Sequence, residues 1–119
     1  MRVAGLGCRR GAPLDALQQA LAMAAAQGGA PDALATIPAR EAEARALADA
    51  MTLPLRLVRV EGIATPTRSQ RILARYGTGS VAEAAALVAA GPGARITVAR
   101  MISTCGRATC AIAESGEPA

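Results

Sequence analysis

The chain has 119 residues and no histidine, no lysine, no tryptophan and no phenylalanine; Tyr76 is its only aromatic residue. Without histidine there is no His-based triad, no imidazole base near neutral pH and no His-rich metal site. Without aromatics there are no stacking platforms of the kind that RNA- and single-strand-binding modules use. Three cysteines, an odd number, argue against a disulfide scaffold and fit a reducing compartment. No run reaches the roughly 20 apolar residues of a membrane span. The longest uncharged stretch, Ala16–Pro31, is broken by glutamines and glycines. A signal peptide is also missing by pattern, because the apolar stretch after Met1-Arg2 has only five residues. The expectation is a cytoplasmic protein that binds neither membrane nor nucleic acid.

What is present is alanine, about a quarter of the chain, and thirteen arginines against nine acidic residues, a formal charge of +4. The apolar content is too high for a disordered chain. Length favours one domain over residues 1–119. Its core must be built from Leu, Val, Ile, Met and many alanines, which suits close packing of helices on a sheet.

Residues 2–7 form a short apolar strand, and Cys8–Pro13 a turn into a helix that runs from Leu14 until Gly28-Gly29 stop it. Leu34–Ile37 is a second strand closed by Pro38. Glu41–Met51 is a second helix, with Ala42, Ala46, Leu47 and Ala50 facing inward. Leu55–Val60 alternates at period two and reads as a third strand. A loop over 61–66 leads to a third helix, Thr67–Tyr76. Gly77-Thr78-Gly79 breaks the chain, and Ser80 caps a fourth helix, Val81–Ala90, with Glu83 at the capping-box spacing. Arg95–Ile102 and Ala108–Ala113 are two strands whose five-residue connection allows only an antiparallel hairpin. Residues 114–119 read as a frayed tail. The order βαβαβααββ predicts a three-layer α/β/α domain with a mixed, mostly parallel sheet of about five strands and a C-terminal antiparallel hairpin.

The most informative stretch is Gly5-Leu6-Gly7-Cys8-Arg9-Arg10-Gly11. A strand that runs into glycines and a helix start offers free backbone N–H groups, and two arginines add forked donors, so a carboxylate or phosphate is the natural guest. The spacing G-x-G-x-x-x-G is one residue too long for the dinucleotide fingerprint; the bland alternative is a tight turn with two solvated arginines. Gly77-Thr78-Gly79-Ser80-Val81-Ala82 matches G-x-G-x-x-A, but a helix rather than a strand precedes it. It reads as a glycine break and a cap, with the helix start free to face the same cleft. Glu83 is either the capping-box carboxylate, the commoner case, or an acid/base. Cys8, flanked by arginines at a helix N-terminus, would have a lowered pKa and could be a nucleophile, although a buried thiol is the commoner outcome. Cys105 and Cys110 read as packing residues, since without histidine or a second pair they make no zinc site. Arg68, Arg71 and Arg75 line one face of the third helix, as a solvated face or a rim for an acidic small molecule. No metal and no cofactor is expected.

These residues together resemble a known family, the cobalamin-biosynthesis CobE proteins and the C-terminal domain of CbiG, the cobalt-precorrin-5A hydrolase. The resemblance rests on Gly5-x-Gly7-Cys8-Arg9-Arg10-Gly11, on Ala35-Thr36-Ile37 followed by Glu41, on Ser69, on Gly77-Thr78-Gly79-Ser80-Val81-Ala82-Glu83-Ala84-Ala85-Ala86 and on Thr109-Cys110-Ala111-Ile112-Ala113. It spans nearly the whole chain. Two departures stand out: Pro38 follows Ile37 where the family has an aspartate, and Arg40 and Arg100 stand where lysines are common. The resemblance implies a role in making the corrin ring of vitamin B12. The ligand would be a precorrin or a hydrogenobyrinic acid-type tetrapyrrole, held at Gly5, Gly7, Cys8, Arg9, Arg10, Gly11, Thr36, Gly77, Gly79, Ser80 and Val81. By analogy with the hydrolase, the alternative is lactone opening with acetaldehyde release, using Glu83 or Cys8. A third reading is a scaffold for other enzymes of the pathway.

Overall fold

In the computed structural model, which describes residues 1–115, five strands form one sheet in the order β3-β2-β1-β5-β4. The strands are β1 (Arg2–Cys8), β2 (Ala33–Thr36), β3 (Leu55–Leu57), β4 (Arg95–Ile102) and β5 (Ala108–Glu114), and the helices are α1 (Leu14–Gly28), α2 (Glu41–Met51), α3 (Gln70–Tyr76) and α4 (Val81–Ala90). β1 pairs with β2, and β2 with β3, in parallel. β5 lies antiparallel between β1 and β4, so four of the five strands point one way. The α/β fold, the mixed sheet and the C-terminal antiparallel pair agree with the sequence reading.

Helices cover both faces. α1 and α2 bury Leu17, Leu21 and Leu47 against Leu6, Leu34 and Ile112 on one side. On the other, α4 and the loops flanking α3 pack Val81, Ala84 and Ala85 against Val3, Ala35 and Ile37. α4 lies unusually close to β1 because Gly5 has no side chain: a Cβ there would run into the Ala82 carbonyl oxygen and stand 2.6 Å from the Ala86 nitrogen. Alanines on the helix and glycine on the strand are the sequence device for that approach.

Several boundaries differ from expectation, each for a physical reason. β3 stops at Leu57 instead of Val60, because its only partner, β2, ends at Thr36 and Pro38 opens a 3₁₀ turn, Pro38–Arg40. α3 begins at Gln70 rather than Thr67, since Ser69 takes the cap position and its hydroxyl accepts the Ile72 N–H. α2 has the expected bounds but turns Ala44, Leu47 and Ala48 inward; Ala42, Ala46 and Ala50 are exposed. In a helix this rich in alanine, periodicity alone does not select a face. Glu114 is no tail residue: it ends β5, and its carboxylate pairs with Arg2 Nε at 3.0 Å. The rest of the expected tail, 116–119, lies outside the described residues. Among the described residues no helix is long and apolar enough to cross a membrane.

Candidate functional site

Parallel strands β1 and β2 end side by side, and β5 starts at the same end of the sheet, so three loops meet there, where α/β folds place their ligands. The Arg9 N–H donates to the Arg107 carbonyl at 2.9 Å, and the Thr109 hydroxyl to the Gly7 carbonyl at 3.2 Å, which ties the β4–β5 turn to the turn after β1. α4 points its N-terminus at the same place. Ser80 caps it, with its hydroxyl accepting the Glu83 N–H at 3.2 Å.

These elements surround an open cleft of about 490 Å³. Seven arginines line it (Arg9, Arg10, Arg40, Arg71, Arg75, Arg100 and Arg107), and no carboxylate does. The six arginines elsewhere face nine acids across the sequence, so the positive charge of the protein is gathered on one face. Tyr76 stands in the lining between two of them. Arg75 lies over its ring at 5.5 Å from the centroid, and its hydroxyl is 3.5 Å from Arg40 Nη2.

Of the residues singled out in the sequence, Gly7, Cys8, Arg9, Arg10, Arg71, Arg75, Ser80 and Val81 line the cleft. The others are placed elsewhere. Gly5 lies under α4. Gly11 is in the left-handed region (φ 76°), and its N–H is already given to Glu43 at 2.7 Å. Thr36 is buried and bonds through its hydroxyl to the Leu6 carbonyl at 2.9 Å, locking β2 to β1. Gly77 and Gly79 turn away, toward a smaller hollow of about 230 Å³ beside Ile63 and Arg68. Arg68 therefore leaves the stripe it was expected to share with Arg71 and Arg75.

The Glu83 carboxylate is not the second half of a capping box. Glu83 is fully buried, and its carboxylate accepts the Thr67 N–H at 2.8 Å, the Thr67 hydroxyl at 2.7 Å and the Arg100 N–H at 2.8 Å. It thus fastens the loop before α3 and the bulged middle of β4 to the first turn of α4, bracing the cleft from behind. The expected low pKa of Cys8 is also corrected. The helix starts six residues later, and burial first, then the Glu43 charge, push the thiol up to about 11 against the opposing pull of Arg40. Cys110 is buried, and its thiol is pushed up to about 12 by desolvation. Cys105 is the exposed one; hydrogen bonds from Ser103 and from the Arg107 backbone lower its thiol. Among the described residues no three His, Cys, Asp or Glu side chains converge as a metal site.

Sequence reasoning on the glycine turns missed Tyr76, Ile72 and Arg107 as lining residues. It noted Arg40 and Arg100 only as basic positions of the resembled family. Their shared place depends on β5 entering beside β1, a pairing between residues about a hundred positions apart that no local pattern announces.

The arrangement is that of a small α/β domain with an arginine-lined cleft at the strand ends. The sequence profile of the family described as "Cobalamin synthesis G C-terminus" matches residues 2–113, and the chain belongs to that family. It is a cobalamin-biosynthesis protein of the CobE/CbiG C-terminal type. The crystal structure of CobE, from the cobalamin (vitamin B12) biosynthetic pathway, is similar at 32% identity. It superposes with a TM-score of 0.79, covering 95% of this chain and 89% of that one. Cobalamin biosynthesis protein chiG from Agrobacterium tumefaciens is similar at 40% identity and a TM-score of 0.76, covering 98% and 100% of the two chains. No curated protein sequence matches the chain.

Proposed function

We propose that this protein binds an anionic corrin or precorrin intermediate in the arginine cleft, as a binding or accessory protein of the pathway. The observation that carries the reading is the lining itself: seven arginines and no acid around about 490 Å³, within the range of small-molecule sites. A corrin intermediate carries several acetate and propionate arms, so it offers such a lining many partners at once. Its flat apolar face can lie against Ile37, Ile72 and Val81 without aromatic stacking. The start of α4 adds unpaired N–H groups and the positive end of its dipole. Free thiols at all three cysteines suit a cytoplasmic setting.

A hydrolytic role has no comparable support. The Glu83 carboxylate is consumed by Thr67 and Arg100, and a Cys8 thiol near 11 is protonated at neutral pH. Titrating hydrogenobyrinic acid while following its visible spectrum and heat of binding tests the proposal. Saturable binding is expected, lost when the ligand's carboxyls are esterified. No spectral or calorimetric change at high micromolar protein overturns it. Incubation with cobalt-precorrin-5A and an acetaldehyde assay separates binding from turnover, with no acetaldehyde expected.

A further inference from the structure

One of the seven arginines differs in kind from the rest. Arg9, Arg10, Arg71, Arg75 and Arg107 are exposed and Arg100 is half-buried, but Arg40 is only 8% exposed. It ends the 3₁₀ turn after β2 and reaches across to β1. There its Nε donates to the Cys8 carbonyl at 2.9 Å, while Nη1 donates to the Ala39 carbonyl at 3.0 Å. Nη2 reaches the Tyr76 hydroxyl at a long 3.5 Å. A guanidinium has five N–H groups, so two have no partner among the described residues.

No carboxylate is within ion-pair distance of Arg40 either. The ion pairs among the described residues are Arg2–Glu114 and Arg45–Glu41. Glu43 feels the Arg40 charge, but its carboxylate is committed to the Gly11 N–H. The guanidinium is therefore mostly buried, with neutral carbonyls and a phenol as its hydrogen-bond partners and no carboxylate paired to it, a costly state for a folded chain. The missing counter-ion is what the open side of the cleft can supply.

We propose that Arg40 is the anchor of the site: its two free N–H groups take one carboxylate of the ligand, while the six outer arginines gather the remaining arms. The inference rests on reading the cleft as a polycarboxylate site. It assigns unequal work to the seven. The outer six act through water and are screened by salt, whereas Arg40 makes a desolvated, forked contact that salt weakens little. That contact selects a carboxylate on a flexible arm long enough to reach the back of the cleft. Tyr76, the only aromatic side chain of the protein, touches Arg40 and so provides a built-in optical reporter.

The test uses two probes, citrate and hydrogenobyrinic acid, on the wild type, Arg40→Met, Arg40→Lys and, as a control outside the cleft, Arg59→Met. Citrate is expected to change tyrosine emission beyond what sodium chloride of equal ionic strength does in the wild type and Arg59→Met, but not in Arg40→Met. Hydrogenobyrinic acid should bind Arg40→Met at least about 30-fold more weakly, the loss seen when one partner of a buried charged pair is removed. Arg40→Lys, which keeps the charge but not the fork, should fall between. An Arg40→Met protein that answers both probes as the wild type does overturns the anchor and leaves the cleft reading intact. A wild type that answers neither overturns both. An Arg40-dependent citrate response without hydrogenobyrinic acid binding keeps the anchor and removes the tetrapyrrole. Should Arg40→Met fail to fold by circular dichroism, the Arg40 Nε–Hε resonance of the wild type decides: it is expected to shift on adding citrate, and an unmoved signal overturns the anchor.

Discussion

Replacing Gly5 by alanine isolates the contact that brings α4 over the cleft. The backbone at Gly5 is ordinary strand, so the substitution costs nothing in conformation; the added methyl meets the Ala82 carbonyl oxygen and the Ala86 nitrogen, both backbone atoms of α4. Neither can swing aside as a side-chain tip would, so the helix must lift from β1 along a face that buries Val81, Ala82, Ala84, Ala85 and Ala86. Overpacking costs about 1–3 kcal/mol where side chains can adjust, and a helix backbone that cannot adjust puts Gly5→Ala at the top of that range, about 3 kcal/mol. For a chain of this length that corresponds to a fall of about 12 °C in the unfolding midpoint. Urea and thermal unfolding followed by circular dichroism measure both. Gly11→Ala is the control: it has open space around its Cβ but a φ of 76°, so its loss should be about 1 kcal/mol, from backbone strain alone. A Gly5→Ala protein within about 0.5 kcal/mol of wild type, or less affected than Gly11→Ala, would refute the account of helix approach.

Four further outcomes follow from the site. Glu83→Gln places an amide NH₂ among three donors, so it should cost about 2 kcal/mol in urea unfolding; unchanged stability would mean the Thr67 and Arg100 bonds carry no weight. Thiol labelling at pH 8 should modify Cys105 first, Cys8 far more slowly and Cys110 only once denaturant is added, and labelling of Cys8 as fast as Cys105 would contradict its raised pKa. The same thiols give a sign for alkaline stability. Unfolded thiols lose their protons near 9, while folded Cys8 and Cys110 hold theirs to about 11 and about 12, so the native state binds more protons and stability falls as pH rises above about 9. Binding of hydrogenobyrinic acid should weaken as sodium chloride is raised, because most of the lining arginines are solvent-exposed; a salt-independent affinity would remove charge as the basis of recognition.

How far the sequence was legible depends on the range of the forces involved. α2 and α4 have the bounds their patterns indicate, Glu41–Met51 and Val81–Ala90, because a Ser80 cap and uninterrupted alanine-rich periodicity act within a few residues. The alternation over Leu55–Val60 indicates what could be a strand but not how much partner is available, and β2 offers only four residues. The glycine–arginine turn after β1 was visible as a place for anions. Its glycines do a different job from the one expected, however: Gly5 admits a helix, and Gly11 satisfies Glu43. The buried state of Glu83 was not legible, since its three donors come from a loop and a strand bulge 16 and 17 residues away, beyond the reach of helix periodicity. Arg40 looked like one more basic residue until the Cys8 carbonyl and Tyr76 were placed around it.

The position of β5 also bears on how the molecule is made. β5 sits inside the sheet, zipped along all of β1 from Arg2↔Glu114 to Cys8↔Ala108, while the hairpin partner β4 hangs from its far side. A growing chain cannot complete its central seam until the residues of β5 have emerged, and until then β1 presents one bare edge to its surroundings. Synthesis order and assembly order therefore run opposite ways across this sheet: β1 waits for β5.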